Sequence, residues 1–187
     1  MPKFPDVMLD IETAGRNRDA LVIAIGAVEF DAYSGLMGPG FEVIFDAEDA
    51  QRTGGVIDMS TIKWWMQQAP AVQNQMFNGT LGVRQGLKDF LMWYKQINPQ
   101  RVWANGTTFD ISILEDLFLR VDMRHPWHYR DVRDMRMCRD LKDSAYQNNV
   151  HDIYLQNTSQ HDAVADAITQ ARVVQAYYNT LGLGGGA

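Results

Sequence analysis

The stretch Val7-Met8-Leu9-Asp10-Ile11-Glu12-Thr13 sets two carboxylates two residues apart in an otherwise apolar run. Side chains alternate across a β-strand, so Asp10 and Glu12 share one face while Leu9 and Ile11 share the other. Neighbouring anions in a poorly hydrated setting repel and resist ionisation unless a cation offsets them. No Lys or Arg lies between Lys3 and Arg16, and oxygen-only ligands favour Mg²⁺ or Mn²⁺ over zinc. The alternative is a strand with one solvent-facing polar side.

Working outward, Gly15 to Asp19 reads as a turn, and Leu21 to Phe30 as a strand covered on both faces. Within it, Gly26 signals either a close approach by another element or weakened packing. The Gly- and Ser-bearing segment from Tyr33 to Gly40 predicts a turn into a third strand, Phe41 to Phe45, which completes an antiparallel meander. Helical signals follow. One helix starts near Asp58 or Ser60, both good N-cap types, and runs to about Ala69-Pro70. Another carries Leu87, Phe90, Leu91 and Tyr94 on one face and stops before Asn98-Pro99. Arg101 to Asn105 predicts a fourth strand, turned by Gly106 into a helix from about Phe109 to Arg120, and Pro126 to Tyr129 is the candidate fifth strand. A last helix is expected from about Asp162 to Leu181, with Val164, Ile168, Ala171, Val174 and Tyr178 as its apolar stripe and Gly182 at its end. Strands in a meander, then strands alternating with helices, predict an α/β layered fold around a central mixed five-stranded sheet, antiparallel first and parallel after.

A length of 187 residues with 46% hydrophobic content suits one well-buried domain. We assign it to residues 1–181, with a flexible glycine-rich tail over 182–187. A single Cys138 cannot form an internal disulfide, and no apolar run approaches the roughly 20 residues of a membrane span. With a polar N-terminal region that lacks an export signal, the expectation is a soluble, cytoplasmic protein. The formal charge of −6 argues against wrapping duplex nucleic acid, which needs a surplus of Lys and Arg. It leaves room for an enzyme that handles a few nucleotides at a metal centre. A triplet pattern from Arg130 to Ser144 alternates bases and acids; Arg130 with Asp134 and Arg136 with Asp140 have the spacing of helix-surface ion pairs. That favours a solvated helix face over a phosphate-binding stripe.

Three more residues are candidates for the same site, although a lone His is more often structural than catalytic. Asp110, in Asn105-Gly106-Thr107-Thr108-Phe109-Asp110, opens the inward stripe of its helix, although the helix dipole alone also favours an acid there. His161 precedes the last helix and Asp166 follows five residues later; periodicity puts Asp166 on the more polar stripe with Asp162, Thr169 and Gln170, and leaves ligand and solvent roles open. Asp162 is the alternative ligand, and it equally suits the first turn.

The ordered set, Asp-x-Glu on a first strand, Asp at a later strand-to-helix junction and His-x4-Asp at the last helix, resembles the DEDDh branch of the DnaQ-like 3′–5′ exonucleases. Ser60-Thr61-Ile62-Lys63-Trp64-Trp65 and Trp103-Ala104-Asn105-Gly106 are similar to a bacterial and phage subgroup, the Rv2179c-like exoribonucleases. The residue four before the last Asp, a Tyr in the related DEDDy branch, is Asp162 here, so the histidine form fits. The resemblance implies a ribonuclease H-like fold and stepwise release of nucleoside 5′-monophosphates from single-stranded ends or 3′ overhangs. It further implies two Mg²⁺ or Mn²⁺ ions, one held by Asp10, Glu12 and Asp166, the other shared by Asp10 and completed by Asp110. His161 would be the general base, a task suited to an imidazole. Thr13 could contact the terminal nucleotide, and Trp64 or Trp65 could stack on a base. Adjacent helical positions diverge by about 100°, so one Trp packs inward while the other is freer, and Trp64 is favoured for substrate. A non-catalytic binding subunit, a polymerase-associated proofreading subunit and a phosphomonoesterase are the alternatives.

Overall fold

The computed structural model describes residues 4–159 and 161–184. Strand β1, Asp6–Thr13, lies at the centre because its residues are apolar enough to be buried on both faces. It pairs antiparallel with β2, Val22–Phe30, which pairs antiparallel with β3, Met37–Ile44. On its other side β1 runs parallel to β4, Arg101–Ala104, and β4 to β5, Val132–Asp134. The order β3-β2-β1-β4-β5 is the mixed five-stranded sheet expected.

Helices cover both faces. Alternation along β1 sends Val7, Leu9 and Ile11 into one core, with Phe90 of α4 (Val83–Ile97) and Leu114 of α5 (Asp110–Arg120). Met8 enters the opposite core, beneath α6 (Ser144–Leu155) and α7 (Ala163–Thr180). Asp10 and Glu12 share Met8's face, so they point at α7. Three short helices, α1 (Ala47–Arg52), α2 (Met59–Trp65) and α3 (Pro70–Phe77), connect β3 to α4. Among the described residues no helix is long and apolar enough to cross a membrane.

Several sequence expectations need correction. The third strand starts at Met37, earlier than predicted, and the helix expected up to Pro70 ends at Trp65 before a separate α3. The fifth strand is Val132–Asp134. The aromatic signal at 126–129 comes instead from Trp127, whose ring packs into the α4 and α5 core. The triplet segment is no α-helix: it forms β5 and then a 3-10 helix, Met135–Asp140, in which Arg136 pairs with Asp134. In α7 the buried row includes Ala163, Ala167, Gln170, Ala171 and Val174, while Val164, Ile168 and Tyr178 are only partly covered. Small side chains dominate that row because the helix lies close on the sheet. At the helix end Gly182 takes the left-handed conformation (φ 70°); residues 185–187 of the expected tail lie outside the described residues.

Candidate functional site

Pairing of β1 with β4 stops at Leu9 opposite Ala104, while β1 continues to Thr13. The overhang leaves the backbone N–H of Ile11 without a strand partner on that side. Asp110, the first residue of α5, fills the gap and accepts from Ile11 N–H at 3.3 Å. Asp110 is thereby carried to the end of the strand that holds Asp10 and Glu12.

The third element is the start of α7. Asp10 stands opposite Gly26 in the β1–β2 register, and a Cβ on Gly26 would collide with the backbone of Ala163 and Val164. Only glycine lets the helix begin there, so the close approach is the correct reading of Gly26. Asp162 caps α7 by accepting from Ala165 N–H at 2.9 Å. Just before it, His161 adopts a left-handed backbone (φ 65°) and donates its N–H to Asp166 Oδ2 at 3.1 Å. Asn157 Nδ2 donates to the other oxygen, Oδ1, at 2.6 Å. Ligand atoms of Glu12, His161 and Asp166 lie within 4.8 Å of one another. Asp10 is held by Gln170 Nε2, which donates to its Oδ1 at 2.6 Å.

The four acids disturb one another as buried like charges do. Burial pushes Glu12 up to about 8, with Asp166, Asp110 and Asp162 adding repulsion. Burial pushes Asp110 up to about 7 against the opposing pull of its N–H donors. Asp10 is raised well above the ordinary carboxylate range by desolvation and then by Asp110, Glu12 and Asp166. Desolvation also raises Asp166, opposed by the donors from His161 and Asn157. Among the described residues no Lys or Arg forms an ion pair with any of the four. Two more acceptor oxygens, Gln170 Oε1 and Asn105 Oδ1, are buried beside Asp10 and Asp166 without a hydrogen-bond partner among the described residues. A pocket so rich in hard oxygen acceptors fits a divalent cation, whose charge reverses this pKa pattern.

Two cavities border the acids. One of about 240 Å³ is lined by Asp10, Asp166, His161, Asn105, Tyr154 and Asn157, among others. The other, about 470 Å³, is lined by Glu12, Thr13, Trp64 and Phe109, among others. Trp65 is 1% exposed and donates Nε1–H to Thr13 O at 2.9 Å, whereas Trp64 is 39% exposed. Trp65 is thus the packed member of the pair and Trp64 the freer one, and both line the cavity. Trp64 also packs edge-on against the His161 ring, with centroids 4.7 Å apart. The Thr13 hydroxyl donates to Gly15 O at 2.6 Å and is committed locally.

Sequence reasoning missed Gln170, Asn157 and Asn105 as parts of the site. Gln170 had a signal, since it lies four residues after Asp166 and shares its helix face. The polar stripe of α7 is the stripe that faces the site. Asn157 had none, because it follows a helix of weak amphipathic pattern.

Residues 5–178 match the family model described as the 3′–5′ exoribonuclease Rv2179c-like domain. An exodeoxyribonuclease of Enterobacteria phage T4 is 24% identical over 196 residues, which cover 87% of this chain and 86% of the relative. Among solved structures, the nuclease domain of 3′hExo, a DEDDh family member bound to rAMP, superposes with a TM-score of 0.65 at 11% identity, covering 96% of this chain and 93% of that one. The Mg²⁺- and Mn²⁺-bound form of S. pombe Pop2p gives 0.62 at 15% identity, with 97% and 86% covered. The zinc-bound E. coli ExoI–ssDNA complex gives 0.64 at 13% identity, over 95% of this chain and 41% of that one. These likenesses establish a ribonuclease H-like fold. Because the family match runs from the start of β1 to the last turns of α7, across every acid of the site, the chain belongs to the Rv2179c-like 3′–5′ exoribonuclease domain family and is a 3′–5′ exonuclease.

Proposed function

We propose that this exonuclease shortens single-stranded RNA or DNA, including 3′ overhangs, from the 3′ end and releases nucleoside 5′-monophosphates at a site holding two Mg²⁺ or Mn²⁺ ions. The observation that carries the reading is the convergence of four desolvated, mutually repelling acids on the overhang of β1. Such a cluster weakens the metal-free fold, and a protein that only binds nucleic acid gains nothing from it. Asp10, Glu12, Asp110 and Asp166 are the residues that would hold the ions. When bound, they supply charge stabilisation to the attacking and leaving oxygens of phosphodiester hydrolysis.

The chain's own groups do the rest. Gln170 and Asn157 fix the directions of Asp10 and Asp166 by 2.6 Å hydrogen bonds. His161, positioned by its backbone bond to Asp166 and by the Trp64 ring, takes the proton of the attacking water. The cavity bounded by Thr13, Trp64 and Phe109 receives the terminal nucleotide, with aromatic faces that accept any base. Both sugars enter the proposal because the family is described as exoribonucleolytic and the phage relative as an exodeoxyribonuclease.

The test is a time course with single-stranded RNA, single-stranded DNA and 3′-overhang duplexes, each labelled at the 5′ end, in Mg²⁺ or Mn²⁺. Stepwise shortening with 5′-monophosphate products, slowed by a 3′-terminal phosphate, is expected. Cleavage of a closed circular single strand at a comparable rate would contradict it.

A further inference from the structure

The triplet pattern that fails as an α-helix has a different geometry in the folded chain. A 3-10 helix has three residues per turn, so positions i and i+3 stack in one row. In Met135–Asp140 one row, Met135 and Cys138, is buried; the row of Arg136 and Arg139 is exposed. The third row carries Met137 and Asp140. The three-residue repeat of basic side chains therefore coincides with the repeat of the element.

Both arginines reach the edge of the acid site. The Arg136 guanidinium lies against Gly106, in the loop that delivers Asp110; an added Cβ there would sit 3.2 Å from Cζ. Asp134 engages Arg136 through Nε and Nη2, the latter at 2.7 Å. Its Nη1 has no hydrogen-bond partner among the described residues, and half of the side chain is exposed. Asp134 in turn accepts from Thr107 N–H at 3.1 Å, so the pair is braced on the same loop. One turn on, Arg139 Nη2 donates to the Tyr154 hydroxyl at 3.2 Å, and Tyr154 lines the cavity of Asp10 and Asp166. Arg133 is different: its Nη1 is taken by the carbonyls of Arg130 and Val132. Three residues of 3-10 helix rise about 6 Å, comparable to the step between neighbouring phosphates of an extended strand.

We propose that Arg136 and Arg139, with the Tyr154 hydroxyl, form a phosphate track that binds the backbone of the single strand upstream of the bond being cleaved. It rests on the acids being the exonuclease centre. A chain with a net charge of −6 needs local positive charge to hold a polyanion, and these two side chains place it beside the acids. Binding through phosphates makes the track indifferent to base and to sugar.

The experiment compares wild type with Arg139→Gln, Arg136→Gln and the double variant. Binding of a 5′-labelled 12-nucleotide single strand, DNA and RNA in parallel, is measured by fluorescence polarisation in EDTA across a salt series, so the readout needs no turnover. Turnover in Mn²⁺ on the same strand and on a dinucleotide completes it. The double variant should bind at least tenfold more weakly with either sugar. Its log–log salt dependence should flatten by about 1.4, or 0.7 for each phosphate of a single strand that is no longer neutralised. The ratio of kcat/KM on the 12-nucleotide strand to that on the dinucleotide should fall to the same extent. Arg139→Gln alone, which leaves the Asp134–Thr107 brace intact, should show part of each effect, and Arg136→Lys should keep most of the binding. Unchanged binding and salt slope in the double variant, or equal losses on long and short substrates, would overturn the track. Absence of turnover by wild type on every substrate would instead overturn the exonuclease reading, and the binding series would still judge the track.

Discussion

His161 combines a left-handed backbone, which strains most L residues and suits Asn better than Ala, with an imidazole at the mouth of the acid site. His161→Asn is therefore the cleanest test of its chemistry: the fold around α7 should persist while kcat falls by about 10²-fold or more, the usual scale for general acid–base catalysis. Calorimetric Mn²⁺ affinity should change little, and near-normal turnover would remove His161 as the base. Gln170 makes the opposite prediction. It donates to Asp10, so Gln170→Ala should weaken Mn²⁺ binding by about 10–100-fold, the range for residues that orient metal ligands. Unaltered affinity in the same titration would show that Asp10 needs no such support. The residue scale is also where the sequence is most legible. Carboxylates and a histidine in fixed order announce themselves because few other tasks require those types together. An amide such as Asn157 serves so many structural ends that only the folded chain shows what it holds.

At the scale of elements, the site is made by three ends meeting: the overhang of β1, the first turn of α5 and the first turn of α7. Gly26 permits the third. Gly26→Ala should destabilise the protein by about 1–3 kcal/mol, as overpacking does. It should also lower the turnover of the folded fraction, because the displaced helix start carries His161 and Asp166. Urea unfolding alongside active-site-normalised kinetics checks this, and a variant of wild-type stability and rate would mean that α7 does not depend on the close approach. Elements with strong periodicity, β1, β2, α4 and α5, can be read directly from their apolar patterns. The β5 and 3-10 segment cannot. Its charges fit helix ion pairs as well as a three-residue turn, and a strand of Val132, Arg133 and Asp134 with a single apolar residue gives no alternation to detect. Trp127 misleads for a related reason, since an aromatic that fills a core from a loop looks like one that fills it from a strand.

For the whole molecule, the acid cluster ties stability to pH and metal. Glu12 and Asp110 are raised from ordinary values of 4.5 and 3.8 to about 8 and about 7, so the folded, metal-free protein holds protons that the unfolded chain releases. Raised carboxyl values give a contribution that is present at low pH and lost as pH rises through the folded values. The melting temperature without metal should accordingly fall between about pH 5 and about pH 8. Mn²⁺ or Mg²⁺ should restore it most at the upper end, and a metal-free melting temperature that rises steadily over this range would contradict the cluster's electrostatics. The central claim, that these carboxylates form a metal-dependent exonuclease centre, is tested most directly by one assay. Turnover of a 5′-labelled single strand is followed by EDTA-stripped wild type, by the same enzyme during Mn²⁺ titration, and by Asp10→Asn at saturating Mn²⁺. The account predicts background activity in EDTA, recovery of stepwise 3′–5′ shortening as the metal is added, and near-background activity for folded Asp10→Asn. Full turnover by the stripped enzyme or by Asp10→Asn would contradict it.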